Sequence, residues 1–544
     1  MGSIWLIFIA TGLFLAAYLT YARRLVDRWG MDNNQITPAH SKNDGLDYVP
    51  AKKPILLGHH FASIAGAAPI IGPVTAAEFG WLPVFIWIVV GSIFIGAVHD
   101  MGSLFSSVRH GGRSIARVIE VNMGKSGKRL FSIFSWLALI LVIAAFLNVT
   151  AGAFVSTPEA ATASVLFILL AVVFGFLRKV SGLSLMALSV IGIGLLVLCI
   201  WVGLNYPLEL AHTTWMWILV FYIFAASVTP VWILLQPRDY LNSFLLYGLL
   251  GGAILGILAG NPDIELAGYT SFQTEVGYLF PILFVTVACG SISGFHSLVS
   301  SGTTAKQLNK EKDSKAIGYG GMLIEGTLAV LALLAAAIIT RGTAADLMAQ
   351  GGPALVFATG TGNFLNNLGI PTELGVIFGS LTVAAFTLTS LDTAARLGRF
   401  IFQEYFVPEE KQGAKEEAGI FGSIYFATFV TVFLGAVLGI SGAWDAIWPI
   451  FGSANQLLAA LALLSLAVWL ASRGIKNLHI IIPMIFMFAV TLTALVFVTV
   501  ENFQAGNYVL AIIAVILFIL AIVLARMATG LLSPASEQKA AEKN

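Results

Sequence analysis

The residues of this sequence most able to do chemistry are ionisable side chains stranded in long apolar runs. A charge at the centre of a bilayer helix costs at least ~2.5–3.5 kcal/mol on insertion scales, so each needs a reason. Glu325 lies about eight residues into the run 318–340, roughly 10 Å deep at 1.5 Å per residue. It is a candidate proton site, or else a structural acid held by a partner. Asp392 closes the run 373–392 four residues before Arg396, the spacing of a helical ion pair. His99 and Asp100 lie in the run 80–106 as a relay or an anchor. His59 and His60 open the run 57–76. Adjacent helical residues point about 100° apart, so the two rings do not share a face and form a weak metal signal. Histidine is, however, the side chain that changes charge near physiological pH.

His296 sits in CGSISGFHSLVSSGTTAKQ, where Ser293, Ser297, Ser300 and Ser301 recur at three- and four-residue steps. That spacing marks one helical face. Such hydroxyls, opposite unwound carbonyls, suit Na⁺; equally they can bond back to their own helix. Cys199 and Cys289 lie in apolar segments and are read as packing residues. The sequence carries no Walker A motif, no His-Glu-x-x-His and no Gly-x-Ser-x-Gly. Uphill work would therefore draw on an ion gradient, and neither a cofactor nor a resident metal is expected.

The elements that must position these groups are membrane helices. The 544 residues are 58% hydrophobic and 10% charged, against roughly 25% charged in soluble domains. Fifteen continuous apolar runs, from 3–22 to 508–525, are each suited to cross a ~30 Å core as helix. With the N-terminus outside, 28 of the 29 Lys and Arg residues fall on the inner side and only Arg341 falls outside. The C-terminal tail is then cytoplasmic and reads as a solvated end. Glu78 reads as interfacial. The loop 341–372, rich in Gly, Thr and Asn, reads as a lid or a linker. In 241–260, Gly248, Gly252, Gly256 and Gly260 form a groove for close helix packing or for sliding. Net charge of +1, with the basic residues spread over short loops, gives no nucleic-acid patch.

Two runs are broken by proline. GHHFASIAGAAPIIGPVTAAEFG holds Gly66, Ala68, Pro69, Gly72 and Pro73, and AASVTPVWILLQPRDY holds Thr229 and Pro230. Proline removes a backbone donor and clashes with the preceding turn. The second of these crossings comes five after the first, so the two run in opposite senses. Runs 57–203 and 215–392 thus read as two inverted sets of five, each led by a broken helix. Matched interruptions of this kind point to a transporter site. Half-helix N-termini suit a carboxylate, while unwound carbonyls suit a cation. The substrate-binding candidates are Gly66, Ala68, Pro69, Gly72, Thr229, Pro230, Ser293, His296 and Ser297. The ion-coupling candidates are His59, His60, Asp100, Ser300, Ser301, Glu325 and Asp392.

The stretch KKPILLGHHFASIAGAAPIIGPVTAAEFGWLPVFIWIVVGSIFIGAVHDMGSLFSSVRHGGRSI (52–115) resembles the carbon starvation protein A family. So do FHSLVSSGTTAKQL (295–308), SLDTAARLGRFIFQE (390–404) and WPIFGSANQLLAALALL (448–464). The resemblance implies a bacterial inner-membrane importer of peptides or pyruvate, working by proton symport. It further implies a core related to amino acid–polyamine–organocation transporters and a C-terminal helical domain from about 420. The expected architecture is an all-α polytopic membrane protein of about 15 transmembrane helices. It has an inverted five-plus-five core (LeuT/APC-like), one extra N-terminal helix and about four extra C-terminal ones. Its parts are 1–56, a transport core at 57–392, and a C-terminal domain at 393–544. The buried amides Asn455 and Gln456 fall outside that core, as a contact surface. Partners are pyruvate or a peptide, H⁺ or Na⁺, and lipid, with oligomers open. The competing classes are an intramembrane metalloenzyme using His59, His60, His99 and Asp100, and a nutrient sensor.

Overall fold

A computed structural model describes residues 2–45, 47–407, 419–441 and 444–529. The expected solvated tail lies outside the described residues. Helix α1 (Ile4–Trp29) leads into a loop. The first interrupted helix follows, with halves α2 (Lys53–Ile64) and α3 (Ala68–Phe79) bent by 47°. Next come α4 (Trp81–Arg109), α5 (Ile115–Ser156), the hairpin α6 (Pro158–Val180) and α7 (Leu185–Asn205), then α8 (His212–Val228) and α9 (Leu235–Gly260). A two-stranded hairpin, Gln273–Thr274 against Gly277–Tyr278, precedes a second interrupted helix. Its first half is Leu279–Leu283 with Phe284–Thr286, and its second is α10 (Gly294–Gly302). The chain continues through α11 (Lys315–Ala337), α12 (Arg341–Asn366) and α13 (Thr372–Phe406). It ends with α14 (Ile424–Ile440), α15 (Trp444–Ser472), α16 (Leu478–Gln504) and α17 (Tyr508–Thr529).

Among the described residues, eleven helices are long and apolar enough to span a bilayer, or twelve counting the bent pair. Each of the fifteen expected runs coincides with helix. Four of them (57–76, 215–235, 278–300 and 420–440) fall short of an unbroken span. The 29-residue α4, roughly 43 Å long at 1.5 Å per residue, separates the two ends of the molecule. At its Arg109 end the basic loops meet. Arg109 pairs with Glu311 at 2.5 Å, Lys42 donates to the Gly111 carbonyl at 3.1 Å, and Lys53 lies 3.6 Å from Asp313. At its Trp81 end lies Arg341, 3.5 Å from an exposed Glu78. Three of the basic residues assigned to inner loops are instead buried among helices: Arg238, Arg396 and Arg399.

The loop expected at 341–372 is helical, as α12. Its single non-helical residue is Gly352 (φ +67°), and Pro353 restarts the helix just beyond it. This helix fills the glycine groove of α9. A Cβ at Gly256 would stand 2.1 Å from the Phe364 carbonyl oxygen, and one at Gly252 2.8 Å from Leu365. The groove is therefore a packing surface for α12. Helix α13 runs without interruption through Asp392, so the boundary expected at 392/393 falls inside a helix.

Gly256→Val should force α9 and α12 apart and cost about 1–3 kcal/mol as overpacking. Gly251→Ala, with open space at its Cβ, should be neutral or slightly stabilising. Thermal melts in detergent check this, and equal melting of G256V and wild type contradicts the packing.

Candidate functional site

The first interruption forms because the chain leaves the helical region at Ala65 and is helical again from Ala67, just before Pro69. Ala65 adopts φ −76°, ψ 66°, and the Gly66 N–H turns back to the Ile64 carbonyl at 2.8 Å. Ala67 then accepts from Ile70 and Ile71. Pro69 stands in the first turn of α3, where a missing N–H is harmless, while Pro73 lies inside the helix. Gly66, Ala68, Pro69 and Gly72 are all buried here. The freed carbonyl of Ser63 accepts from Ser390 of α13 at 3.3 Å, and a Cβ at Gly66 would stand 2.7 Å from that hydroxyl.

The second interruption is at 287–293, not at Thr229–Pro230. Val228 ends α8 and Leu235 starts α9, so Thr229 and an exposed Pro230 lie in the turn between two separate helices. The expected continuous run 278–300 is the one that unwinds, through VACGSISG. It has no proline; β-branched residues, two glycines and serines that compete for backbone bonds weaken it instead. Its freed groups are taken by protein. Trp87 Nε1 donates to the Val287 carbonyl at 3.2 Å and Ser92 to the Gly290 carbonyl at 3.0 Å. Asn455 Oδ1 accepts from the Phe295 N–H at 2.8 Å, and Gln456 donates to the Phe284 carbonyl at 3.0 Å. The WPIFGSANQ segment thus holds both ends of this break. The helix that follows the first interruption packs against the start of the second: a Cβ at Gly72 would stand 2.4 Å from the Thr286 carbonyl oxygen.

Two buried ionic nests flank these breaks. In one, Asp100 Oδ1 lies 2.8 Å from His99 Nδ1 and its Oδ2 lies 2.8 Å from His296 Nδ1. His296 Nε2 in turn lies 3.4 Å from Glu325. In the other, Arg238 forks onto Asp392 and contacts Tyr222, while its Nη2 donates to Asp239 at 2.9 Å. His59 Nδ1 lies 3.0 Å from Asp239 Oδ2, and Tyr222 donates to Asp392 at 2.9 Å.

His59 and His60 diverge as their helical offset requires, with His60 Nδ1 2.9 Å from the Thr304 hydroxyl. The set His59, His60, His99 and Asp100 is therefore not assembled into one metal centre. Asp392 does not pair with Arg396, because Arg238 reaches it across the helix interface. Arg396 instead donates to the carbonyls of Ala226 and Thr229, and Arg399 to that of Ser227 at 2.7 Å. Ser297 and Ser301 bond back to Gly294 and Ser297 carbonyls, each at 2.6 Å; the Ser300 hydroxyl has no partner among the described residues. Ser293 precedes α10 and pairs with Asn455. The residues missed from sequence were Arg238, Asp239 and Tyr222, while Asn455, expected as a contact-surface amide, proves to hold the second break. Arg-Asp after Pro237 reads as a loop, and only the early start of α9 buries it.

A largely helical, multi-pass membrane protein with two interrupted helices packed together has the fold of LeuT-type secondary transporters. A mutant form of the manganese transporter from Eremococcus coleocola superposes with TM-score 0.53 over 90% of this chain and 99% of that one; at 13% identity this is a likeness of fold alone. The chain belongs to the carbon starvation protein CstA family, whose sequence pattern matches residues 2–350 and 342–494. The Escherichia coli K12 pyruvate/proton symporter BtsT is 33% identical over 549 residues, covering 85% of this chain and 76% of that protein. The Helicobacter pylori J99 peptide transporter CstA is 32% identical over 557 residues, covering 90% and 81%. The Bacillus subtilis 168 peptide transporter CstA is 30% identical over 535 residues, covering 90% and 89%.

Asp392→Ala leaves the buried Arg238 short of its bidentate partner and should cost about 3–5 kcal/mol. Adding Arg238→Met should recover part of that loss. Melting of the single and double variants checks it, and a D392A protein as stable as wild type contradicts the nest.

Proposed function

We propose that this protein is a secondary transporter that imports a small carboxylate nutrient, pyruvate or a short peptide, across a bacterial inner membrane. The cargo carboxylate binds between the two interruptions, at 65–68 and 287–293, with His296 close by. The observation that carries this reading is the close packing of the two interrupted helices, with Gly72 of α3 against Thr286 at the start of the second break. The N-terminus lies outside and the C-terminus inside, in keeping with the gathering of basic loops at the Arg109 end. The transport core extends beyond 392, since α15 holds the second break.

The coupling ion is a proton, and its carrier is His59. The nest around it sets two carboxylates, Asp239 and Asp392, against one guanidinium, Arg238. It becomes neutral when His59 also carries a charge. His59 rides on α2, the half-helix below the first break, so its protonation is tied to the position of that half-helix. Alternating access follows from movement of α2 against α9 and α13.

In proteoliposomes Gly66→Leu should reduce pyruvate or dipeptide uptake to the level of empty vesicles, whereas Pro230→Leu should leave it intact. The reverse pattern would move the site to the α8–α9 turn. His59→Gln should keep counterflow exchange but lose accumulation driven by an inward proton gradient. Undiminished gradient-driven accumulation in H59Q would remove His59 as the carrier.

A further inference from the structure

We propose that Cys289, His296 and Glu325 form an intramembrane binding site for a divalent transition-metal ion of the Zn²⁺ type. One ligand atom from each lies within 4.8 Å of the others, and all three residues are buried. They come from the unwound segment, from the first turn of α10 and from α11, so the site bridges the second interruption and the helix beside it.

Unspent polar atoms give the first argument. His296 Nε2 and both Glu325 carboxylate oxygens are fully buried and have no hydrogen-bond partner among the described residues. The approach of His296 to Glu325 is 3.4 Å, without hydrogen-bond geometry. A buried carboxylate that accepts nothing is costly. A metal ion satisfies all of these atoms together.

The surroundings give the second argument. A metal-ligating histidine ordinarily has its other ring nitrogen held by a carboxylate, which fixes the ring and raises its basicity. His296 Nδ1 stands 2.8 Å from Asp100 Oδ2, and Asp100 Oδ1 is itself held by His99 at 2.8 Å. The Cys289 sulfur accepts from Asn455 Nδ2 at 3.6 Å and lies 3.3 Å from the Ser293 hydroxyl, so its position is fixed. Thiolate and carboxylate together carry the two negative charges that a divalent ion neutralises.

Sulfur, imidazole nitrogen and carboxylate oxygen form a borderline-soft set. Mg²⁺ and Ca²⁺ take oxygen ligands, whereas Zn²⁺, Fe²⁺ and Co²⁺ accept this mixture. Ligand atoms at 2.0–2.3 Å from one tetrahedral ion stand about 3.3–3.7 Å apart. The set therefore closes inward on binding, which the non-helical backbone at Cys289 permits. Three protein ligands leave a fourth position open. Occupation of that position by a cargo carboxylate rests on the transport function proposed above; binding of the ion itself does not.

The test uses the full-length protein in detergent, stripped with a chelator and reloaded with Zn²⁺ or Co²⁺. Wild type should retain about one ion per chain after desalting and show a thiolate-to-cobalt charge-transfer band. Cys289→Ser should lose the band, and Glu325→Gln should fall well below stoichiometry. His59→Gln, in the other nest, should bind like wild type. Sub-stoichiometric metal and no thiolate band in folded wild type would overturn the site, as would C289S and E325Q both loading as fully as wild type. Proton-driven uptake by a metal-free protein would leave the transport function standing without the site. Stoichiometric metal in a protein that transports nothing would leave the site standing without that function.

Discussion

Unwinding a helix inside a membrane exposes backbone groups that lipid cannot satisfy, and the architecture depends on how those groups are met. The Asn455 side chain accepts the Phe295 N–H at 2.8 Å, and Gln456 donates to the Phe284 carbonyl at 3.0 Å. Adjacent residues on one long helix thus hold the two ends of the second interruption. Trp87 and Ser92 hold its middle from α4. The first interruption needs less, because Ala65, Gly66 and Pro69 turn sharply and Ser390 takes up the Ser63 carbonyl. Side chains from α4, α13 and α15 thereby hold both breaks in place.

Around this frame the charges are divided. His59 and His60 follow each other in sequence yet belong to different neighbourhoods, because a helix sends them about 100° apart. His59 joins the nest of Arg238, Asp239, Asp392 and Tyr222, while His60 reaches Thr304 just beyond α10. The half-helix α2 is therefore tied on one side to α9 and α13 and on the other to the segment after the second break. In the proposed cycle, a change of charge at His59 alters the first tie and leaves the second in place. The nest of His99, Asp100 and His296 is built differently, with no Arg or Lys among its ion pairs in the described residues.

Helix-forming runs and the first interruption were legible in the sequence, because hydropathy over 20 residues and a Pro–Gly cluster act locally. Membership of the family was legible as well, from the resemblance of long stretches such as 52–115. The second interruption was not, because VACGSISG carries no proline and its unwinding is held by Asn455 and Gln456 from 160 residues away. Pro230, the stronger local signal, marks only the turn between α8 and α9. Asp392 and Arg396 stand at helical spacing, yet the tertiary partner Arg238 outcompetes the local one. Residues 341–366 looked like a loop by composition but fold as a helix, because the glycine groove of α9 offers them a surface. Partners contributed by distant segments are the part that a single sequence conceals.

The most direct test of the central claim, that the two interruptions together form the cargo site, is hydrogen–deuterium exchange with mass spectrometry. It would be measured on the purified protein with and without saturating pyruvate or dipeptide. The account predicts slower exchange on cargo binding in peptides spanning 65–68 and 287–293, with no change across 229–234. Protection confined to 229–234, with both interruptions unaffected, would contradict it.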